Sequence, residues 1–115
     1  MKDLNGKISY KGKEYALVFN LNVMERIQDE YGSVSAWGEK TDGKNGEPNA
    51  KAVIFGFTEM LNEGIDIANE EHGTNDPPLT LRQVGRMITE VGMAQATQAL
   101  QSTVIESTKV EQKNA

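Results

Sequence analysis

Apolar and polar residues alternate near the start of the chain, before the pattern changes to a helical period. Ile8 and Tyr10 share one face of a first short stretch, and Tyr15 and Leu17 share one face of a second. Such alternation predicts half-buried β-strands. The Lys-Gly pair between the two stretches favours a tight turn, because glycine readily adopts the positive φ that a two-residue turn requires. We therefore predict a β-hairpin over residues 6–19.

Beyond the hairpin, apolar residues recur at intervals of three and four, which is the spacing of one helix face. Four helices are predicted, over residues 22–31, 50–63, 81–91 and 94–107. Gly64 is interpreted as the stop of the second helix, since glycine commonly ends helices in the left-handed conformation. Thr80, with Gln83 three residues later, forms a capping box that predicts the start of the third. A short helical turn is expected around Trp37, whose indole is assigned to the core, a lid or a groove.

These elements place the chain in the α+β class, as an N-terminal β-hairpin followed by a compact bundle of about four helices. A length of 115 residues fits one domain, assigned to residues 1–108, and the polar residues 109–115 are expected to form a disordered tail. Residues 38–49 contain three glycines and a proline, and residues 69–78 are acidic and end in two prolines. Both polar segments are predicted to be loops.

The composition excludes several classes of site. The chain has no cysteine, which excludes disulfides, zinc–thiolate sites and thiol nucleophiles, and its one histidine excludes a site built from several imidazoles. No apolar run approaches the ~20 residues that a membrane-spanning helix needs. The first residues lack the apolar segment of a signal peptide. We therefore expect a soluble intracellular protein without a membrane segment.

The chain is acidic, with 12 basic and 17 acidic residues and a net charge of −5. This balance argues against a nucleic-acid-binding domain, which is usually basic. Lys7, Lys11 and Lys13 lie in the predicted hairpin, whereas residues 59–76 contain six carboxylates and no lysine or arginine. Lysines on an exposed strand edge resist unwanted pairing, although such an edge can also accept a chosen strand. The opposite charges of the two regions permit head-to-tail self-association.

Residues that could perform catalysis are sparse. A serine or threonine nucleophile needs a base, and His72 lies in a polar acidic segment without a nucleophile motif beside it. Residues 42–47 resemble a calcium loop only in part, because Lys44 occupies a position where a ligand is needed. We predict no catalytic residue, cofactor or metal. Two further classes stay open, a small metal-dependent hydrolase that uses the acidic segment and a nucleic-acid-binding regulator.

Four segments of the chain resemble the small tail-assembly chaperones of long-tailed phages and prophages, including the related tail protein of gene-transfer agents. They are the opening hairpin at residues 5–17, the first helix with its glycine at 19–32, the segment 55–64, and the segment 79–93, which precedes an alanine-rich helix. Together these segments cover most of the chain. The two long polar loops depart from the family pattern.

The resemblance implies a non-enzymatic assembly factor in the cytoplasm of a bacterial host. Such a factor engages the tape-measure protein and the tail-tube protein while the tail is built, and it is usually absent from the finished particle. No catalytic, cofactor or metal residue carries over from the family. A structural tail or head-completion subunit that stays in the virion is the alternative.

We expect partner binding to involve aromatic side chains and charges of both signs. The candidate partner-binding residues are Tyr10, Lys11, Tyr15, Trp37, Glu63 and Glu70. Leu17 and Phe55 are further candidates for the core or for a groove. Charge reversal at Lys11, Glu63 or Glu70 is the expected way to map such an interface.

Overall fold

The computed structural model describes residues 6–43 and 46–114, with side chains through residue 107. A two-stranded hairpin precedes five helices. The elements are β1 (Lys7–Tyr10), β2 (Lys13–Ala16), α1 (Leu21–Tyr31), α2 (Val34–Thr41), α3 (Ala50–His72), α4 (Leu81–Val91) and α5 (Met93–Asn114). The α+β class predicted from the sequence is confirmed. The helix beyond the four that were predicted is α2, because the short turn expected around Trp37 extends over eight residues. The loop predicted over residues 38–49 is therefore wrong for residues 38–41, which are helical.

The hairpin turn consists of Lys11 and Gly12, which both have positive φ, at 51° and 76°. Two consecutive positive φ values are typical of a type I′ turn, whose twist matches that of the flanking strands. The tight turn predicted from the Lys-Gly pair is therefore confirmed. β2 ends at Ala16, before the predicted end of the hairpin, and residues 17–19 connect it to α1.

The helix α3 is longer than the apolar spacing predicts. It runs over Ala50–His72 and ends at Gly73, which has a left-handed φ of 65°. The stop predicted at Gly64 is wrong, because this residue lies within the helix and has no positive φ. A Cβ at Gly64 would lie 2.9 Å from the Ala16 carbonyl oxygen. The glycine is thus a point of close approach between α3 and the hairpin.

Two asparagines of α3 hold the segment that follows the helix. The Asn62 side chain donates to the Leu79 carbonyl at 3.0 Å and accepts the Leu79 N–H at 2.7 Å. Two helical turns later, the Asn69 side chain donates to the Asp76 carbonyl at 3.1 Å and accepts the Asp76 N–H at 3.0 Å. The predicted loop over residues 69–78 begins as helix, and its remainder runs back along α3. This path places α4 beside the N-terminal half of α3.

The core lies between the hairpin and the helices. Its fully buried side chains include Leu17, Ile27, Trp37, Phe57, Met87 and Leu100. The indole N–H of Trp37 donates to the Ala52 carbonyl at 3.0 Å. A Cβ at Gly56 would overlap the Trp37 ring, so glycine at this position allows α3 to pack directly on the indole. The helix α3 is therefore the element on which both the hairpin and α2 pack.

The last two helices are separated by a single glycine. The capping box predicted at the start of α4 is confirmed, with the Thr80 hydroxyl accepting the Gln83 N–H at 3.1 Å and the Gln83 side chain accepting the Thr80 N–H at 2.8 Å. Gly92, with a φ of 103°, ends α4. The helix α5 then extends to Asn114, over most of the segment 109–115 that was expected to be a disordered tail.

Candidate functional site

The exposed sides of α3 and α4 form a groove of about 700 Å³, the α3–α4 groove. The helix α4 contributes Leu81, Arg82, Gly85, Arg86 and Thr89. These residues form one stripe, because helical positions three and four apart lie on the same face. The helix α3 contributes Lys51, Ile54 and Phe55. The opposite stripe of α4 is buried in the core, so the groove residues are held on a fixed helix.

The floor of the α3–α4 groove is apolar. Leu81 is 57% exposed, whereas Ile54 and Phe55 are half-buried. Phe55 packs edge-to-face on Tyr31 of α1, with ring centroids 5.6 Å apart. Burial raises the pKa of Tyr31, and the Glu30 carboxylate raises it further, so the phenol is neutral at ordinary pH. Phe55 therefore rests on a second, uncharged aromatic ring.

Gly85 lies in the middle of the α4 stripe and leaves the groove open. A Cβ at Gly85 would meet only the Ile54 Cδ1 atom, at an ordinary contact distance of 3.6 Å. The packing of α4 on α3 therefore does not require glycine here, in contrast to the tight approaches at Gly56 and Gly64. Glycine inside a helix costs about 1 kcal/mol relative to alanine. The missing side chain adds depth to the groove without a structural need.

The rim of the α3–α4 groove is basic. Lys51 stands on α3, and Arg82 and Arg86 stand on α4, so cations lie on both walls, and none of the lining residues is acidic. Two of the three arginines of the chain are thus at this groove. Within the described residues, neither arginine nor Lys51 has an ion-pair partner, whereas Arg26 lies 3.6 Å from a Glu59 carboxylate oxygen. The rim is a local concentration of positive charge on an acidic protein.

A second groove, of about 490 Å³, lies between α2 and α5 and is called the α2–α5 groove. Its lining includes Val34, Gly38, Glu39, Asp42, Val104 and Ile105. Gly38 is a helical glycine, and a Cβ built on it would meet nothing within 4 Å. The charged residues of this lining are acidic. The charged side chains that line the two grooves are therefore of opposite sign.

The candidate partner-binding residues of the hairpin lie together, outside both grooves. Tyr15 is opposite Ile8 and Tyr10 is opposite Lys13, so these four side chains share one face of the hairpin. The Lys11 ammonium lies 5.4 Å from the Tyr10 ring centroid, and the Lys13 ammonium lies 5.2 Å from that of Tyr15. Both tyrosines are half-buried and are packed against the core. The hairpin candidates thus have local cation–π partners.

The other three candidates occupy different environments. Trp37 is 1% exposed, so its indole belongs to the core, but it also contributes to the lining of the α2–α5 groove, and its contact with a partner stays a prediction. A Glu63 oxygen accepts from the side-chain amides of Asn20 at 2.8 Å and Asn22 at 3.0 Å, which joins α1 to α3. Glu70 is exposed near the end of α3. The six candidates therefore do not form one site.

The groove residues of α4 have a pattern in the sequence that is overlooked when Leu81 is assigned to the buried stripe of that helix. Leu81 continues the buried stripe of α4 by spacing, and it is instead exposed at the groove. The informative pattern is Leu81 and Gly85 beside Arg82 and Arg86, four residues apart in each case. A second apolar face flanked by cations differs from the fully polar outer face of an ordinary surface helix.

No family model, curated protein or solved structure matches the chain. Among the described residues, no group of three or more histidine, cysteine or acidic side chains could hold a metal ion. In that same part of the chain, no helix is both long and apolar enough to cross a bilayer.

Proposed function

We propose that the protein is a non-enzymatic assembly chaperone for the tail of a long-tailed phage or prophage, acting in the cytoplasm of the bacterial host. Its partners are the tape-measure protein and the tail-tube protein. The proposal combines the resemblance of four segments to that family with one structural observation, the α3–α4 groove. The groove is the surface assigned to the partner.

An exposed apolar groove suits a protein that must hold a long helical chain before the tail tube forms around it. At a rise of 1.5 Å per residue, the stripe from Leu81 to Thr89 spans ~12 Å, which is about two turns of a bound helix. A contact with about two turns of one helix buries much less surface than the ~1,600 Å² of a standard stable interface. Binding through one such groove is therefore weak and reversible, as release during tube assembly requires.

The test is co-expression with the largest open reading frame downstream of the gene, the candidate tape-measure protein. We expect the large protein to become soluble and to co-purify with the wild-type chain. Leu81→Glu places a charge on the apolar floor and should abolish both effects. A carboxylate in the first turn of a helix is compatible with folding, since it interacts favourably with the helix dipole.

Leu21→Glu is the matched control for this experiment. Leu21 is also the first residue of a helix, follows an asparagine cap and is 70% exposed, but it lies outside both grooves. The control variant should solubilise the large protein as the wild type does. If the wild-type chain neither binds the large protein nor changes its solubility, the proposed function is contradicted. Recovery of the chain from purified particles, in proportion to the tube protein, would instead support a retained structural subunit.

A further inference from the structure

We propose that the α3–α4 groove binds an amphipathic α-helix whose apolar stripe is flanked by carboxylates on both sides. This inference rests on the proposed function in one respect, that the groove is the surface that holds a partner. It goes further by giving the chemistry of the segment that is held. Three properties of the groove carry it: its apolar floor, its cations and its central glycine.

The floor selects an apolar stripe. Ile54, Phe55 and Leu81 line the groove from two helices, and the Tyr31 ring packs edge-to-face on Phe55. A bound helix places residues three and four apart on one face, so leucine-like side chains at that spacing can cover this floor. A phosphate backbone would leave the same apolar surface in water. The floor therefore favours a protein helix over a nucleic acid.

The cations select the flanks of that helix. Lys51 on one wall and Arg82 and Arg86 on the other are exposed and have no ion-pair partner among the described residues. Arginine binds carboxylates through a planar pair of donors, and Arg82 and Arg86 are one helical turn apart. Carboxylates at the same spacing on a partner helix would meet them. Complementary charge at a rim fixes orientation and excludes partners with basic flanks.

The central glycine lets a partner helix come close. Gly85 has no packing function within the fold, because a Cβ there would make only an ordinary contact with Ile54. Its place at the middle of the α4 stripe allows a bulky side chain of the bound helix to reach the floor. Glycine at this position is therefore explained by the occupant of the groove.

The experiment uses the full chain and two synthetic helical peptides of ~18 residues, about five turns. Both have the same leucine stripe at i, i+3, i+4 and i+7. One carries glutamates on both flanks, and the other carries lysines. We expect calorimetry to detect binding of the acidic peptide, weakening as sodium chloride is raised from ~50 to ~500 mM because salt screens exposed charges. The basic peptide should show no binding.

Charge reversal on the protein tests the same contact from the other side. Arg82→Glu with Arg86→Glu should lower the affinity for the acidic peptide by at least about tenfold, a loss of ~1.4 kcal/mol. Lys13→Glu with Lys40→Glu makes the same change in net charge at exposed positions outside the groove, and it should leave the affinity within about twofold. Equal losses in the two double variants would show that only net charge matters, and would overturn the proposal.

Two further results separate this inference from the proposed function. If the acidic peptide does not bind while duplex DNA does, and DNA binding is lost in the arginine variant, the groove recognises phosphate and the inference is wrong. If the tape-measure protein is solubilised equally well by the wild type and the arginine variant, the chaperone function stands and the inference fails. If the acidic peptide binds but the tape-measure protein is not solubilised, the inference stands and the chaperone function fails.

Discussion

The α3–α4 groove and the α2–α5 groove are built alike and charged differently. Each lies between two helices, and each contains a helical glycine with room for a side chain, Gly85 in the first and Gly38 in the second. The first is bordered by Lys51, Arg82 and Arg86, whereas the charged side chains at the second are acidic. Shape alone would make both grooves candidates for one apolar partner. The difference shows that the sign of the charge at the rim separates the partners that the two grooves could hold.

Substitution of Gly56 is expected to change the free energy of unfolding the most. It tests whether this helical glycine is required for packing, in contrast to Gly85 and Gly38. Gly56→Ala would force the new methyl group into the Trp37 ring that packs between α2 and α3. Overpacking of a core typically lowers the free energy of unfolding by about 1–3 kcal/mol. Urea denaturation followed by tryptophan fluorescence measures this change. Unaltered stability would mean that α2 can move away from α3 without loss.

The features that the sequence predicts correctly are local, and those that it does not predict depend on contacts between distant segments. Local signals, such as the hairpin turn at Lys11 and the capping box at Thr80, depend on neighbouring residues and are predicted correctly. Gly64 looks like a helix stop, and only the approach of the hairpin reveals its actual function. The groove residue Leu81 matches the core stripe by spacing, and its exposure depends on where α3 lies. Contacts between distant segments therefore account for the differences.

The connection between α3 and α4 is expected to give the next largest effect. Asn62→Ala removes both side-chain hydrogen bonds to the Leu79 backbone and should lower the free energy of unfolding by about 1–2 kcal/mol. Because Leu79 precedes the first turn of α4, binding of the acidic peptide should weaken as well. Asn69→Ala is the control. The equivalent hydrogen bonds from Asn69 to Asp76 are exposed, so this variant should lose less of the free energy of unfolding. Equal stability losses would contradict this ranking.

Gly85 and Gly38 distinguish the two grooves without destabilising the fold. Gly85→Ala and Gly38→Ala should each raise the free energy of unfolding by about 0.5–1 kcal/mol, because alanine is the better helix former. Only Gly85→Ala should weaken binding of the acidic peptide, since its methyl group enters the groove that the peptide occupies. Thermal denaturation and calorimetry on the two variants measure both effects. Equal peptide affinity in both variants would remove the central glycine from the argument for the occupant.

Substitution of Tyr31 is expected to have the smallest effect, which is a change in how stability depends on pH. Its pKa is raised in the folded state by burial and by Glu30, so the stability contributed by the neutral phenol is present below pH ~10 and is lost as pH rises through the folded pKa. Tyr31→Phe should reduce the loss of stability above pH ~10 and change stability near neutrality by no more than about 1 kcal/mol, because the hydroxyl has no partner within the described residues. Denaturation midpoints at pH 7 and at strongly alkaline pH measure this. An unchanged alkaline slope would contradict the assignment to Tyr31.

Mapping of the acidic peptide on the chain by NMR tests the choice between the two grooves most directly. Backbone amide shifts of the ¹⁵N-labelled protein would be followed during titration with the glutamate-flanked helix. We expect the largest changes at residues 51–55 and 81–89, with residues 34–42 and 100–105 unaffected. Changes concentrated at the α2–α5 groove or at the hairpin would contradict the conclusion that the basic rim of the α3–α4 groove selects the partner.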